Sequence, residues 1–190
     1  LLYFAANDKL WVTDGTTTRQ IYDSSTPSTP VTDVENMTEL GGSLFFSSDF
    51  NVGERLYRVQ TPADVNVDAA NVATLTTNPD NFIGADGLLF YTTGTVSRGQ
   101  KLFYFDPETS SVTQAFDIGG SAVINPNYMS AASQTLFFTV DGELYSSVQA
   151  GSGSSTPRVT DRLVDQLSSS VPEMVVQILG SEGDGVVTFG

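Results

Sequence analysis

The side chains able to do chemistry in this 190-residue chain are carboxylates, hydroxyls and aromatics, because it contains neither histidine nor cysteine. Their absence removes the commonest general base, the usual activator of a serine or cysteine nucleophile, thiolate zinc sites and disulfides together. The remaining oxygen donors gather in short turns. Asp49, Asn51 and Glu54 share one such turn, and Asp141 and Glu143 share another. Hard oxygens in loops suit calcium, which completes its shell with backbone carbonyls, so calcium is the cofactor these turns could take. No turn carries a full calcium-loop motif, and Asp and Asn also favour turns for their own backbone bonding. A second set is aromatic: Trp11, Tyr57, Phe103 and Tyr145 each follow a charged residue and a leucine. Such rings could stack on a sugar or a protein, but an aromatic repeated at one strand position more often packs inside the fold.

These residues recur because the sequence recurs. The runs Leu2-Tyr3-Phe4, Leu44-Phe45-Phe46, Leu89-Phe90-Tyr91 and Leu136-Phe137-Phe138 are spaced by 42, 45 and 47 residues. A charged-Leu-aromatic run follows each of them: Lys9-Leu10-Trp11, Arg55-Leu56-Tyr57, Lys101-Leu102-Phe103 and Glu143-Leu144-Tyr145. The gaps between the two series, among them Ala6-Asn7-Asp8 and Asp141-Gly142, read as hairpin turns. A third run (from Arg19, Ala73, Val112 and Pro157) and a fourth (from Asn36, Asn81, Tyr128 and Val175) complete each unit.

Four strands in about 45 residues are the dimensions of a propeller blade. The expected fold is therefore all-β, a β-propeller of four antiparallel blade-like repeats in one domain. The repeat units run approximately 1–42, 43–87, 88–134 and 135–184, and a fifth begins at 185–190, where Val186-Val187-Thr188 restarts the first series. That restart suggests a fragment of a larger propeller, whose open strand edges would invite self-association by strand addition. The one stretch with helical character is 161–170, where Leu163, Val164 and Leu167 could form an apolar face.

The formal charge of −14, from 22 acidic against 8 basic residues, would repel a phosphate backbone, so no nucleic-acid partner is expected. No run reaches the roughly 18 apolar residues of a membrane-spanning helix. Ser24-Ser25-Thr26-Pro27-Ser28-Thr29-Pro30 reads as an exposed loop of the kind that carries glycans, and Asn36-Met37-Thr38 is an N-glycosylation sequon.

The segment Lys9-Leu10-Trp11-Val12-Thr13-Asp14-Gly15-Thr16 resembles the ELWxSDGT repeat, often called hyalin-like, of large bacterial exoproteins. Later units keep the period but replace Trp11 with Tyr57, Phe103 and Tyr145 and lose the Asp-Gly-Thr. The resemblance implies an extracellular or cell-surface β-propeller associated with adhesive proteins. Hemopexin-like propellers are a second resemblance, but they close with a disulfide and this chain has no cysteine. The expected function is a secreted, non-catalytic binding or structural module of an adhesin, sheath or appendage, presenting loops to a glycan or protein. The alternative is a secreted carbohydrate-active enzyme using paired carboxylates.

Overall fold

The computed structural model describes residues 1–49, 53–60, 68–75, 78–94, 99–116, 120–132, 135–148, 158–160, 177–181 and 184–188. Every regular element among them is a strand. Sheet 1 holds β1 (Leu2–Ala6), β2 (Lys9–Thr13) and β3 (Thr18–Gln20), and a small hairpin of β4 (Tyr22–Asp23) and β5 (Thr26–Pro30) follows it. Sheet 2 runs β6 (Val34–Leu40), β7 (Ser43–Ser48), β8 (Arg55–Val59), β9 (Ala70–Thr74). Sheet 3 runs β10 (Pro79–Ala85), β11 (Leu88–Thr93), β12 (Lys101–Asp106), β13 (Ser111–Gln114). Sheet 4 runs β14 (Asn127–Ala132), β15 (Thr135–Val140), β16 (Glu143–Val148), β17 (Arg158–Thr160), and β18 (Gln177–Ser181) pairs with β19 (Asp184–Thr188). Within each sheet, strands adjacent in sequence pair antiparallel. The described residues form no closed ring, and the stretch 161–170 lies outside them.

The sheets are phased differently from the sequence units. The fourth run of each unit is hydrogen-bonded forward, as the first strand of the next sheet: Val34–Leu40 belongs with Ser43–Ser48, not with β1–β3. The reason lies in the turns. Gly41-Gly42 and Asp86-Gly87 are two-residue turns with φ positive at both positions, 57° and 76° in the first and 54° and 74° in the second. That geometry matches the twist of tightly paired strands, so it closes a hairpin across the unit boundary. β19 falls where the first series restarts in sequence.

Alternating side chains send two apolar faces out of each sheet, and the sheets stack through them. Leu10, Val12 and Ile21 of sheets 1 and its return segment meet Phe46, Tyr57 and Val59 of sheet 2 in one buried cluster. Phe45 and Leu56, on the opposite face of sheet 2, meet Leu89, Tyr91 and Phe105 of sheet 3. Phe90, Leu102 and Tyr104 then meet Leu136 and Phe138 of sheet 4. Each fully buried Leu or Phe contributes about 1.5–3 kcal/mol relative to exposure. Between sheets 2 and 3 the Phe45 and Phe105 rings lie 6.0 Å apart and tilted by 57°.

The first strands also touch in succession, β6 with β10 and β10 with β14, while β14 touches β19, the second strand of the last hairpin. Gly84 permits the first of these approaches: a Cβ there would sit 3.0 Å from the Glu39 carbonyl oxygen and 3.1 Å from Leu40. All three complete first strands carry a register shift at the same place, around Asn36, Asn81 and Tyr128, each with φ between 51° and 56°. A hydroxyl of the second strand closes each bulge. Ser47 Oγ donates to the Glu35 carbonyl (3.4 Å), Thr92 Oγ1 to Asp80 (3.2 Å) and Thr139 Oγ1 to Asn127 (3.4 Å).

Candidate functional site

The four aromatics of the charged-Leu-aromatic series all face a partner ring or strand within their own sheet. Tyr57 is buried and stacks on Phe46 at 5.5 Å and 10°. Phe103 stacks on Tyr91 at 5.9 Å and 25°, and Tyr145 on Phe138 at 5.7 Å and 13°. These stacked pairs belong to the clusters between sheets, so three of the four rings fill an interface. Burial, then the nearby Asp23 carboxylate, pushes the Tyr57 hydroxyl up to about 12. Trp11 pairs across the ladder with Phe4, and its indole Nε1 donates to the Ala6 carbonyl at 3.1 Å. Both rings are half-exposed, on the face of sheet 1 opposite Leu10 and Val12.

The acidic turns do share one end of the stack. Sheet pairing puts the β1–β2 turn, the start of β6, the β7–β8 connection, the start of β10 and the β15–β16 turn at the same end of their sheets. That rim carries Asp8, Asp33, Glu35, Asp49, Glu54, Asp80, Asp141 and Glu143. An open cleft of about 320 Å³ sits there, lined by Ala5, Ala6, Asn7, Asp8, Asp33, Val34 and Glu35. Asn7 (φ 52°) and Asp8 (φ 58°) form its turn, and the Asp33 amide donates to the Asp8 carbonyl at 3.0 Å. No aromatic side chain lines it.

Burial, then the neighbouring Asp49 and Glu35 carboxylates, raises the Glu54 carboxyl above its ordinary range. The proposed calcium ligands therefore divide. Asp49 and Glu54 are electrostatic neighbours, Asp141 and Glu143 flank the separate turn of sheet 4, and Asn51 lies outside the described residues. Among the described residues, no three His, Cys, Asp or Glu side chains come together to hold a metal ion.

Other motifs build turns. Asp14 accepts the Thr16 and Thr17 amides (2.8 and 2.7 Å) and the Thr16 hydroxyl (2.8 Å), which lowers its carboxyl to about 2. Gly15, at φ 91°, makes the reversal, so Thr13-Asp14-Gly15-Thr16 is the hairpin between β2 and β3. Asp106 plays the same part between β12 and β13. There burial pushes the carboxyl up, but hydrogen bonds from Thr109 and the Glu108 amide outweigh it and lower it overall.

The sequon asparagine, Asn36, is half-buried in β6, where its Nδ2 donates to Ser47 Oγ (3.1 Å) and to the Pro79 carbonyl of sheet 3 (3.0 Å). That amide ties two sheets together. Within the Ser24–Pro30 tract, Thr26–Pro30 is strand β5 rather than loop. Its prolines fit a strand with an unshared edge.

Sequence reasoning missed the bulge residues and the buried Asp23, which accepts the Ser25 amide at 2.8 Å and the Ser25 hydroxyl at 2.7 Å. The bulges did leave a signal, since Ser47, Thr92 and Thr139 each follow the aromatic pair directly.

No family model and no curated protein matches the chain. Among solved structures, the crystal structure of the tricorn protease aligns with 73% of this chain and 13% of its own, at 16% identity and a TM-score of 0.36. No helix among the described residues is long and apolar enough to cross a membrane, which leaves strands unaddressed.

Proposed function

We propose that this chain forms consecutive blades of a β-propeller acting as a non-catalytic extracellular or cell-surface module, whose acidic rim meets a glycan or a protein. The observation that carries this reading is the repetition: three successive sheets stack face to face, first strand against first strand, while their turns collect at one end. That arrangement spends the aromatics on packing and leaves the rim loops free to vary, which is how rigid β scaffolds present binding surfaces. The ELWxSDGT-like segment agrees with a surface-exposed bacterial protein.

A glycan array probed with the chain, in parallel with reducing-sugar release from the same polysaccharides, tests the proposal. Retention of one glycan class, weakened by the triple change Asp8→Asn, Asp33→Asn, Glu35→Gln, with no sugar released, is the expected result.

One observation favours the enzymatic alternative. A carboxyl raised by burial beside other carboxylates, as Glu54 is, is shifted in the direction that a general acid in glycoside hydrolysis requires. Sugar release abolished by Glu54→Gln would replace the binding reading with that one.

A further inference from the structure

Four Asp-Gly pairs occur in the sequence, at 14–15, 86–87, 141–142 and 184–185. Each places a carboxyl next to a backbone nitrogen that no neighbouring Cβ shields. All but the pair at 184–185 have described side chains, and hydrogen bonding separates those three.

Asp14-Gly15 and Asp141-Gly142 are both exposed, so access to water does not distinguish them. In the first pair both reacting groups are held. The Gly15 amide donates to Thr13 Oγ1 at 3.1 Å. One Asp14 carboxylate oxygen accepts the Thr16 amide, the Thr16 hydroxyl and the Thr17 amide, all at 2.7–2.8 Å. Those bonds lower the Asp14 carboxyl to about 2, and an ionised carboxylate is a poorer electrophile than the acid.

In the second pair both groups are open. Asp141 (φ 51°) and Gly142 (φ 84°) form the two-residue turn between β15 and β16. The Val140–Glu143 pair closes that hairpin, so the Gly142 amide falls outside the ladder. Among the described residues, neither this amide nor the Asp141 carboxylate has a hydrogen-bond partner. A Cβ built on Gly142 would meet nothing within 4 Å, so the nitrogen has room to move. Asp86-Gly87 shares the turn geometry, but Asp86 is half-buried and has a contact of its own.

We propose that Asp141-Gly142 is a self-modification site, where the chain converts its own aspartyl linkage to an isoaspartyl one. The Gly142 nitrogen attacks the carbon of the Asp141 side-chain carboxyl. Its proton and the carboxyl OH leave together as water, and a five-membered succinimide forms. Water then opens the ring. Addition at the side-chain carbonyl restores the original bond, and addition at the main-chain carbonyl routes the chain through the β-carbon and frees an α-carboxylate. Mass and oxidation state are unchanged over the two steps. The product puts an extra carbon into a turn at the acidic rim, on the hairpin that carries the Phe138–Tyr145 stack. The inference is independent of what that rim binds.

The test ages the full chain in warm neutral buffer, digests it, and labels the peptides with an isoaspartyl methyltransferase and a radioactive methyl donor. The expected result is label at 141–142 about ten times that at 14–15, because the bonds around Asp14 must open before its ring can close. In denaturing urea the two sites should converge. Thr13→Val frees the Gly15 amide and should raise labelling at 14–15 several-fold. Asp141→Glu, whose longer side chain disfavours ring closure, should remove the label from 141–142. Equal labelling of the two sites in the folded chain, a difference that survives urea, or no response to Thr13→Val would each overturn the proposal.

Discussion

Sheet 1 and sheet 2 are built from the same sequence pattern and differ in how much of it is covered. In sheet 2 the Phe46–Tyr57 stack is buried against sheet 1, and Ser47 closes the bulge of a paired first strand. In sheet 1 the equivalent Phe4 and Trp11 are half-exposed, and Ala5 stands where Ser47 would be. The hydroxyl is present where a bulged strand is there to accept it, in sheets 2, 3 and 4. Where a hydroxyl follows the aromatic pair it closes a bulge in the adjoining strand, so this position reports the packing around the strand and not only the strand itself.

The largest expected effect separates the two aromatic positions. Phe46→Ala should cost about 3–5 kcal/mol in urea denaturation, because it empties a packed interface. Phe4→Ala, at the same place in the repeat, should cost about 1 kcal/mol or less. Equal losses would mean that the sheet 1 face is covered in solution.

Gly84→Ala should cost about 1–3 kcal/mol, since the new methyl meets a backbone carbonyl that cannot rotate away. A neutral result would mean that β6 and β10 are further apart than described. Next, Thr92→Val should cost about 1–2 kcal/mol, because Thr92 both donates to the Asp80 carbonyl and accepts from Asn81 and Gln100.

The smallest effects are in pH dependence, and the two ends of the sheets should respond with opposite sign. Glu54 is raised, so its ionisation costs stability above its folded pKa, and the cost is relieved as pH falls through that value. Glu54→Gln should therefore raise the thermal midpoint slightly at pH 7 and lose that advantage in acid. Asp14 is lowered from 3.8 to about 2, so its contribution is complete above pH 3.8 and is lost as pH falls through about 2. The Thr16 and Thr17 amide shifts should titrate there, and a midpoint near 3.8 would show that the turn does not hold the carboxylate.

Most strands were legible in the sequence because Leu-aromatic-aromatic and charged-Leu-aromatic are strong local signals. Phase was not, because periodicity fixes the length of a unit and says nothing about its starting point. The decisive feature is the positive-φ pair Gly41-Gly42, which lies at the 42/43 limit of the repeat unit and closes a hairpin across it. The β4–β5 hairpin was hidden by Pro27 and Pro30, which suggested loop. Of the candidate site, the clustering of acidic turns at one end could be anticipated from alternating strand direction. The burial of Tyr57 and the joining role of Asn36 could not, because both depend on which sheet lies opposite.

The central claim is that consecutive sheets stack face to face through the two faces of the repeated aromatic run. Phe45 and Phe105 come from different sheets and different repeats, and their rings lie 6.0 Å apart. With both rings assigned by NMR, an aromatic-to-aromatic nuclear Overhauser effect between them is the predicted result. Its absence, with the within-sheet effect between Phe46 and Tyr57 still present, would leave the hairpins intact and contradict the stacking.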